Sequence, residues 1–378
     1  MTQPEEIFSD EQGEAEVSWT ELPPEREFFA SPYDPPVKTL IQEIKDGELI
    51  VRPTFQRAFV WDIVRQSRFV ESILLNIPIP NLFFAEDEDK TKVVVDGQQR
   101  LTALKHFQEN RFALKGLEAL AALNGKLFED LTERQQRIFN NRTLRCLVIS
   151  ARSDSEIRFQ VFERLNQGGM PLNSQEVRHC VYRGELNDLL HRLVNDESWL
   201  AALGKDEPNS RMTDCELVLR YLSFRSRGAE YSPPLKAFLN NYMRENRHLD
   251  GGQSAELDAV FRSTVRKVLE VFEGQAFRRA TVADGGVEWD RSLNRAVFDC
   301  QMLIFEHVDG AWLTANSAQV KQGFMALFAD GEFADAVSRA TADVARLRTR
   351  LEKVVYMLAG LGASIDASRA IPNTQVAG

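Results

Sequence analysis

The chain has 378 residues, 43% hydrophobic and 27% charged, which is the make-up of a globular protein with room for a sizeable core. Its formal net charge of −10 argues against a protein that coats nucleic acid through charge alone, although a local basic groove stays open. No apolar run reaches the roughly 20 residues that span a bilayer, and the N-terminus lacks a signal-peptide h-region, so a soluble, cytoplasmic protein with no membrane attachment is expected.

The acidity is uneven. Residues 1–27 carry nine Asp or Glu and one Arg, and residues 1–32 read as a disordered acidic tail with few core-forming side chains. Four cysteines, Cys146, Cys180, Cys215 and Cys300, stand far apart without a C-x-x-C pair. The five histidines make no metal-site spacing, so buried free thiols in a reducing cytosol are expected.

Residues 37–45 read as an amphipathic helix stopped by Asp46-Gly47, and 49–51 as a strand broken by Pro53. In the following run, Phe55, Phe59 and Trp61 are accounted for as core anchors, which leaves Gln56 and Arg57 as candidate functional residues. Asp62 can cap a helix over 63–75, with Ile63, Val70, Ile73 and Leu74 inward and Arg65 and Arg68 on the wetter side. The prolines Pro78 and Pro80 lead into a strand over 81–85. A polar turn then makes a hairpin with the strand at Lys92. Glu88-Asp89-Lys90 matches the E-x-K of a nuclease signature only formally, because no acidic partner precedes it on a strand.

The stretch that organises the rest is Val93-Val94-Val95-Asp96-Gly97-Gln98-Gln99-Arg100-Leu101. Three β-branched residues give a buried strand, Asp96-Gly97 breaks it, and Leu101, Leu104 and Phe107 restart the pattern at helical spacing. A helix start offers unpaired N–H groups and partial positive charge, which suits a phosphate. Gly97 permits close backbone approach and Arg100 can fork onto phosphate oxygens. Asp96 can cap the helix, hold a divalent metal or polarise a water. A capped turn with solvated amides explains the same residues.

Further on come a helix over 132–141 and a strand over 144–150. Ser153 with Glu156 then reads as a capping box for a helix carrying Ile157, Val161 and Leu165 inward. That helix ends in Arg164-Leu165-Asn166 before Gly168-Gly169, and Asn173 with Glu176 opens the next. Arg164 either answers the helix dipole or contacts a ligand. Beyond Gly184 the pattern is helical throughout: 186–194, 214–224, 235–248, 255–272, 294–308, 319–328 and 340–358. The expected architecture is α+β: an α/β domain over 33–183, an all-helical domain over 184–359 and a flexible tail over 360–378.

Phe55-Gln56-Arg57 with Val60-Trp61, Pro78 to Pro80, Asp96 through Thr102 and Phe162 through Asn166 occur in the order of one family's motifs. The chain resembles the N-terminal domain of GmrSD-type, modification-dependent restriction endonucleases from about Tyr33 to Glu176. The resemblance implies a ParB/sulfiredoxin-like α/β domain that binds and hydrolyses nucleotide in a phage-defence, restriction-modification system; as an NTPase it is expected to use Mg2+ to neutralise the triphosphate. It also implies Gly97 and Arg100 on the phosphates; in the NTPase reading Asp96, Gln98 and Gln99 are catalytic, with Asp96 toward the metal. Gln56, Arg57, Arg164 and Asn166 complete the expected nucleotide site. The family's HNH nuclease domain is not recognisable after Gly184, where His248 and His307 are isolated. The expected partners are therefore DNA and a separately encoded nuclease. A non-hydrolysing, nucleotide-switched DNA- or protein-binding module is the alternative.

Overall fold

The computed structural model describes residues 27–51, 61–165, 172–283 and 286–366. They fall into two compact units that divide between Val181 and Tyr182. The fold class is α+β, as expected.

The first unit contains β1 (Ala30–Tyr33), α1 (Val37–Asp46), β2 (Leu49–Ile50), α2 (Ile63–Leu74), β3 (Leu82–Glu86), β4 (Lys92–Asp96) and α3 (Gln98–Gln108). It continues with α4 (Glu133–Asn141), β5 (Cys146–Ile149), α5 (Ser155–Leu165) and α6 (Ser174–Val181). Its five strands run in the order β1-β5-β3-β4-β2. β3 pairs antiparallel with β4, the hairpin the sequence suggests, while β2–β4 and β3–β5 are parallel and β1–β5 antiparallel. Val93, Val94 and Val95 are all buried. Successive side chains point to opposite faces, so β4 is covered on both, which is why its sequence is a continuous β-branched run.

Helices α1, α3 and α4 pack together, and α2 lies against α3 and α4. Phe107 at the end of α3 meets Phe112, Phe128 and Phe139 with ring centroids 5.6, 5.8 and 5.6 Å away. Asp62 caps α2 through the Arg65 amide (2.7 Å) as expected, and Val70 and Ile73 are buried. Ile63, however, faces solvent. The inward positions of the first turns go to Gln66 and Ser67, and the Ser67 hydroxyl accepts the Lys115 amide at 2.9 Å. Asn173 and Glu176 form the expected reciprocal capping box at 2.8 Å each way.

The Ser153–Glu156 box does not form. Ser153 Oγ instead accepts the Phe29 amide (2.9 Å) and donates to the Phe29 carbonyl (3.1 Å), tying the end of β5 to the start of β1. Asp154 takes the capping role, accepting the Glu156 and Ile157 amides at 2.9 and 3.1 Å. The helix is turned accordingly: Arg158, Phe159 and Phe162 are its buried residues, rather than Ile157, Val161 and Leu165.

The second unit holds α7 (Glu185–Leu193), α8 (Glu197–Leu203), α9 (Thr213–Arg227), α10 (Leu235–Glu245) and α11 (Gly251–Phe272). After β6 (Ala280–Ala283) and β7 (Gly286–Trp289) come α12 (Arg295–Phe305), α13 (Gly310–Leu327), α14 (Gly331–Ala336) and α15 (Val344–Gly360). The expectation of helices alone holds except for the β6–β7 antiparallel hairpin. Asp284-Gly285 between these strands is a strong hairpin dipeptide. Two short helices, α8 and α14, are additional to those the periodicity indicates, and each is capped by an aspartate, Asp196 or Asp330. At the centre of this unit Asp299 accepts from Arg220 and Arg350, each at 2.6 Å, and all three side chains are essentially fully buried.

Among the described residues, no helix is long and apolar enough to cross a membrane. The four cysteines are free and buried.

Candidate functional site

Parallel pairing of Leu49 with Lys92 and Ile50 with Val93 sends the C-terminal ends of β2 and β4 to the same end of the sheet. Antiparallel pairing of Phe83 with Asp96 places the start of β3 there too. The carboxyl ends of parallel strands are where open α/β sheets gather ligands. Here α3 begins directly from β4 through one residue.

That residue is Gly97, the N-cap of α3, at φ +103°. A side chain is excluded twice over. The backbone lies in the left-handed region, and a Cβ would sit 2.2 Å from Leu82 Cδ2. Asp96 therefore does not cap α3, and no side-chain cap bond is present. The Leu101 amide closes the first helical bond onto the Gly97 carbonyl at 2.9 Å, so the positive end of the helix dipole lies at this junction.

The Asp96 carboxylate instead accepts from Arg100 Nη2 at 2.8 Å. The same Nη2 donates to the Asn81 carbonyl at 3.2 Å, and Nη1 donates to the Pro80 carbonyl. Arg100 thus ties the first turn of α3 to the residues entering β3. Its side chain is 12% exposed and that of Asp96 41%. Burial lowers the guanidinium from its ordinary value and Asp96 opposes that shift; the group keeps its charge. Cys146, the register partner of Leu82, has its thiol pushed up to about 12, chiefly by burial, and does not ionise near neutrality.

Gln98 and Gln99 are half-buried in the first turn of α3, and Gln99 Oε1 accepts the Trp61 amide at 3.4 Å. The chain leaving β2 at Val51 therefore returns at Trp61 beside the α3 N-terminus. Gln56 and Arg57 belong to the intervening segment and lie outside the described residues, as does Asn166. Arg164 is exposed in the last turn of α5, and among the described residues no contact joins it to the Asp96–Arg100 junction. The structure brings together Asp96, Gly97, Gln98, Gln99 and Arg100, and adds Trp61 and the Pro80 and Asn81 carbonyls.

The junction sets the positive end of a helix dipole beside the Arg100 guanidinium. Asp96 offers one partly exposed carboxylate toward a cation. Among the described residues no group of three or more His, Cys, Asp or Glu side chains could hold a metal ion. A single carboxylate fits magnesium that arrives on a triphosphate, since magnesium commonly takes one or two carboxylates and completes its shell with phosphate oxygens and water.

Residues 37–183 match the model of the family described as GmrSD restriction endonuclease, N-terminal domain. The match spans β2–β4, α3 and the whole candidate site. No curated protein and no solved structure matches the chain.

Proposed function

We propose that the unit whose residues 37–183 match the GmrSD N-terminal domain model binds and hydrolyses a nucleoside triphosphate with Mg2+ at the β4–α3 junction, as the nucleotide-responsive component of a restriction system. The carrying observation is the left-handed Gly97 between a buried strand and a helix N-terminus, with Arg100 and Asp96 alongside. The first turn of α3 and its helix dipole favour the phosphates, and the absent Gly97 Cβ leaves the room that Leu82 fills, which lets β4 turn directly into that helix. Arg100 supplies positive charge at the flank. Asp96 faces the magnesium or the attacking water, and Gln98 and Gln99 orient that water from the first turn. Phosphoryl transfer needs little beyond such positioning and charge stabilisation. In this reading DNA cleavage is carried out by a separately encoded nuclease that responds to the bound nucleotide.

Phosphate release measured with each of the four NTPs, with and without DNA, tests the proposal. Turnover that falls strongly in Asp96→Ala, with nucleotide affinity largely retained, is expected. Nucleotide affinity without phosphate release would leave a switch rather than an NTPase. Absence of nucleotide affinity in the folded wild type would overturn the reading.

A further inference from the structure

Arg65 and Phe69 lie four residues apart on α2 and share one helix face, and Trp61 sits just before the Asp62 N-cap of that helix. Arg65 Cζ lies over the Trp61 ring, 4.9 Å from its centroid, and Phe69 meets that ring edge-on at 5.6 Å and 73°. Trp61 is held on both sides of its backbone. Its amide donates to Gln99 Oε1 at 3.4 Å, and its carbonyl accepts from Gln66 Nε2 at 3.0 Å. Asp62 fixes the turn between them by capping α2 at the Arg65 amide.

An arginine on a solvated helix face ordinarily pairs with an acid, as Arg68 does with Glu118 at 2.7 Å. Arg65 is exposed, and among the described residues it rests on an aromatic ring rather than on a carboxylate. An indole carrying a flat, exposed cation, anchored to the first turn of a candidate phosphate-binding helix, is a surface on which a planar aromatic ring stacks.

We infer that the Trp61–Arg65 pair is the platform for the base of the nucleotide whose phosphates sit at the α3 N-terminus. The inference rests on the proposed nucleotide site and assigns its second half. The anchor from Trp61 to Gln99 makes the two halves one unit: the residue that orients the phosphate end also holds the base end. Stacking uses the face that every base possesses, so the platform recognises a nucleobase as a class.

Magnesium tripolyphosphate and the magnesium complexes of ATP and UTP, titrated calorimetrically into the full chain, separate the two halves. Wild type is expected to bind the nucleotides roughly tenfold to a hundredfold more tightly than tripolyphosphate, the gain one stacked base supplies. Trp61→Ala should erase that gain while leaving tripolyphosphate affinity unchanged. Arg65→Ala should remove part of it, and Trp61→Phe should keep most. Melting curves identify any variant that fails to fold, and Trp61→Phe and Arg65→Ala then carry the test. Tripolyphosphate binding as tight as nucleotide binding in wild type would overturn the platform and leave the phosphate site standing. Equal weakening of tripolyphosphate and nucleotide by Arg65→Ala would also overturn it, placing Arg65 on phosphate. Failure of all three probes to bind would overturn the nucleotide site and the platform together.

Discussion

Arg100 donates to the Asp96 carboxylate at 2.8 Å across the glycine that turns β4 into α3, and the same guanidinium holds the Pro80 and Asn81 carbonyls. The charge that flanks the candidate phosphate site is therefore also a fastener between α3 and the entry to β3. Arg100→Ala should lower unfolding stability by about 1.5–3 kcal/mol, the usual loss for charged hydrogen bonds. Asp96→Asn should cost less, because Arg100 retains both carbonyl acceptors. Urea unfolding of the two variants checks the order, and an Asp96→Asn loss as large as that of Arg100→Ala contradicts it.

Gly97→Ala combines an unfavourable φ of +103° with a Cβ 2.2 Å from Leu82 Cδ2. Backbone strain alone is worth about 1–3 kcal/mol, and the contact adds to it. Gly47, at φ +78° with nothing within 4 Å of its added Cβ, is the control that carries strain without a clash. Thermal melting should place Gly97→Ala clearly below Gly47→Ala.

Asp299 neutralises one of the two buried arginines it contacts, and both contacts are 2.6 Å. Asp299→Ala removes the carboxylate that both buried guanidinium groups share and should cost about 3–5 kcal/mol. A denaturation midpoint near that of wild type would show that the remaining partners of these arginines, such as the Thr341 carbonyl bound by Arg350 at 2.9 Å, suffice without the carboxylate.

Ser153 and Asp154 are adjacent but serve different elements. Asp154→Ala removes the α5 cap and should cost about 1 kcal/mol. Ser153→Ala should instead loosen β1, since Ser153 Oγ holds both backbone polar groups of Phe29. Amide hydrogen exchange distinguishes them: faster exchange at Phe29 in the serine variant, and at Glu156 and Ile157 in the aspartate variant.

Asp214 is buried at the start of α9, and burial raises its carboxyl above the ordinary 3.8 while the Asn209 and Cys215 amides act in the opposite direction. The folded chain then holds the proton longer than the unfolded one. Stability from this residue is present below 3.8 and lost as pH rises through the folded value. Asp214→Asn should remove that decline, measured as urea midpoints across about pH 3 to pH 7. An unchanged slope would mean Asp214 does not set it.

The β4–α3 junction is legible in the sequence because everything that makes it is local. Val93 to Val95 specify a buried strand, Gly97 alone accepts the left-handed turn, and Leu101, Leu104 and Phe107 set the helical repeat. The Asp62 and Asn173 caps are readable for the same reason: donor and acceptor lie three residues apart. The β6–β7 hairpin was within reach of the Asp284-Gly285 dipeptide, yet four-residue strands amid helices give little periodicity to notice.

Pairings between distant residues were decided only by the tertiary structure. Ser153 reads as a helix cap until the backbone brings Phe29 to it from 124 positions away. Arg65 and Arg68 look alike along α2, and only the fold sets one on Trp61 and the other on Glu118. Arg100 forks as the motif suggests, but onto Asp96 and two carbonyls delivered by the antiparallel register of β3. Local hydrogen bonds and helical periodicity are specified over a few residues of chain. An arginine's acceptors are fixed only once loop closure has brought strands and helices together, because its long side chain takes whichever oxygens the packed backbone presents.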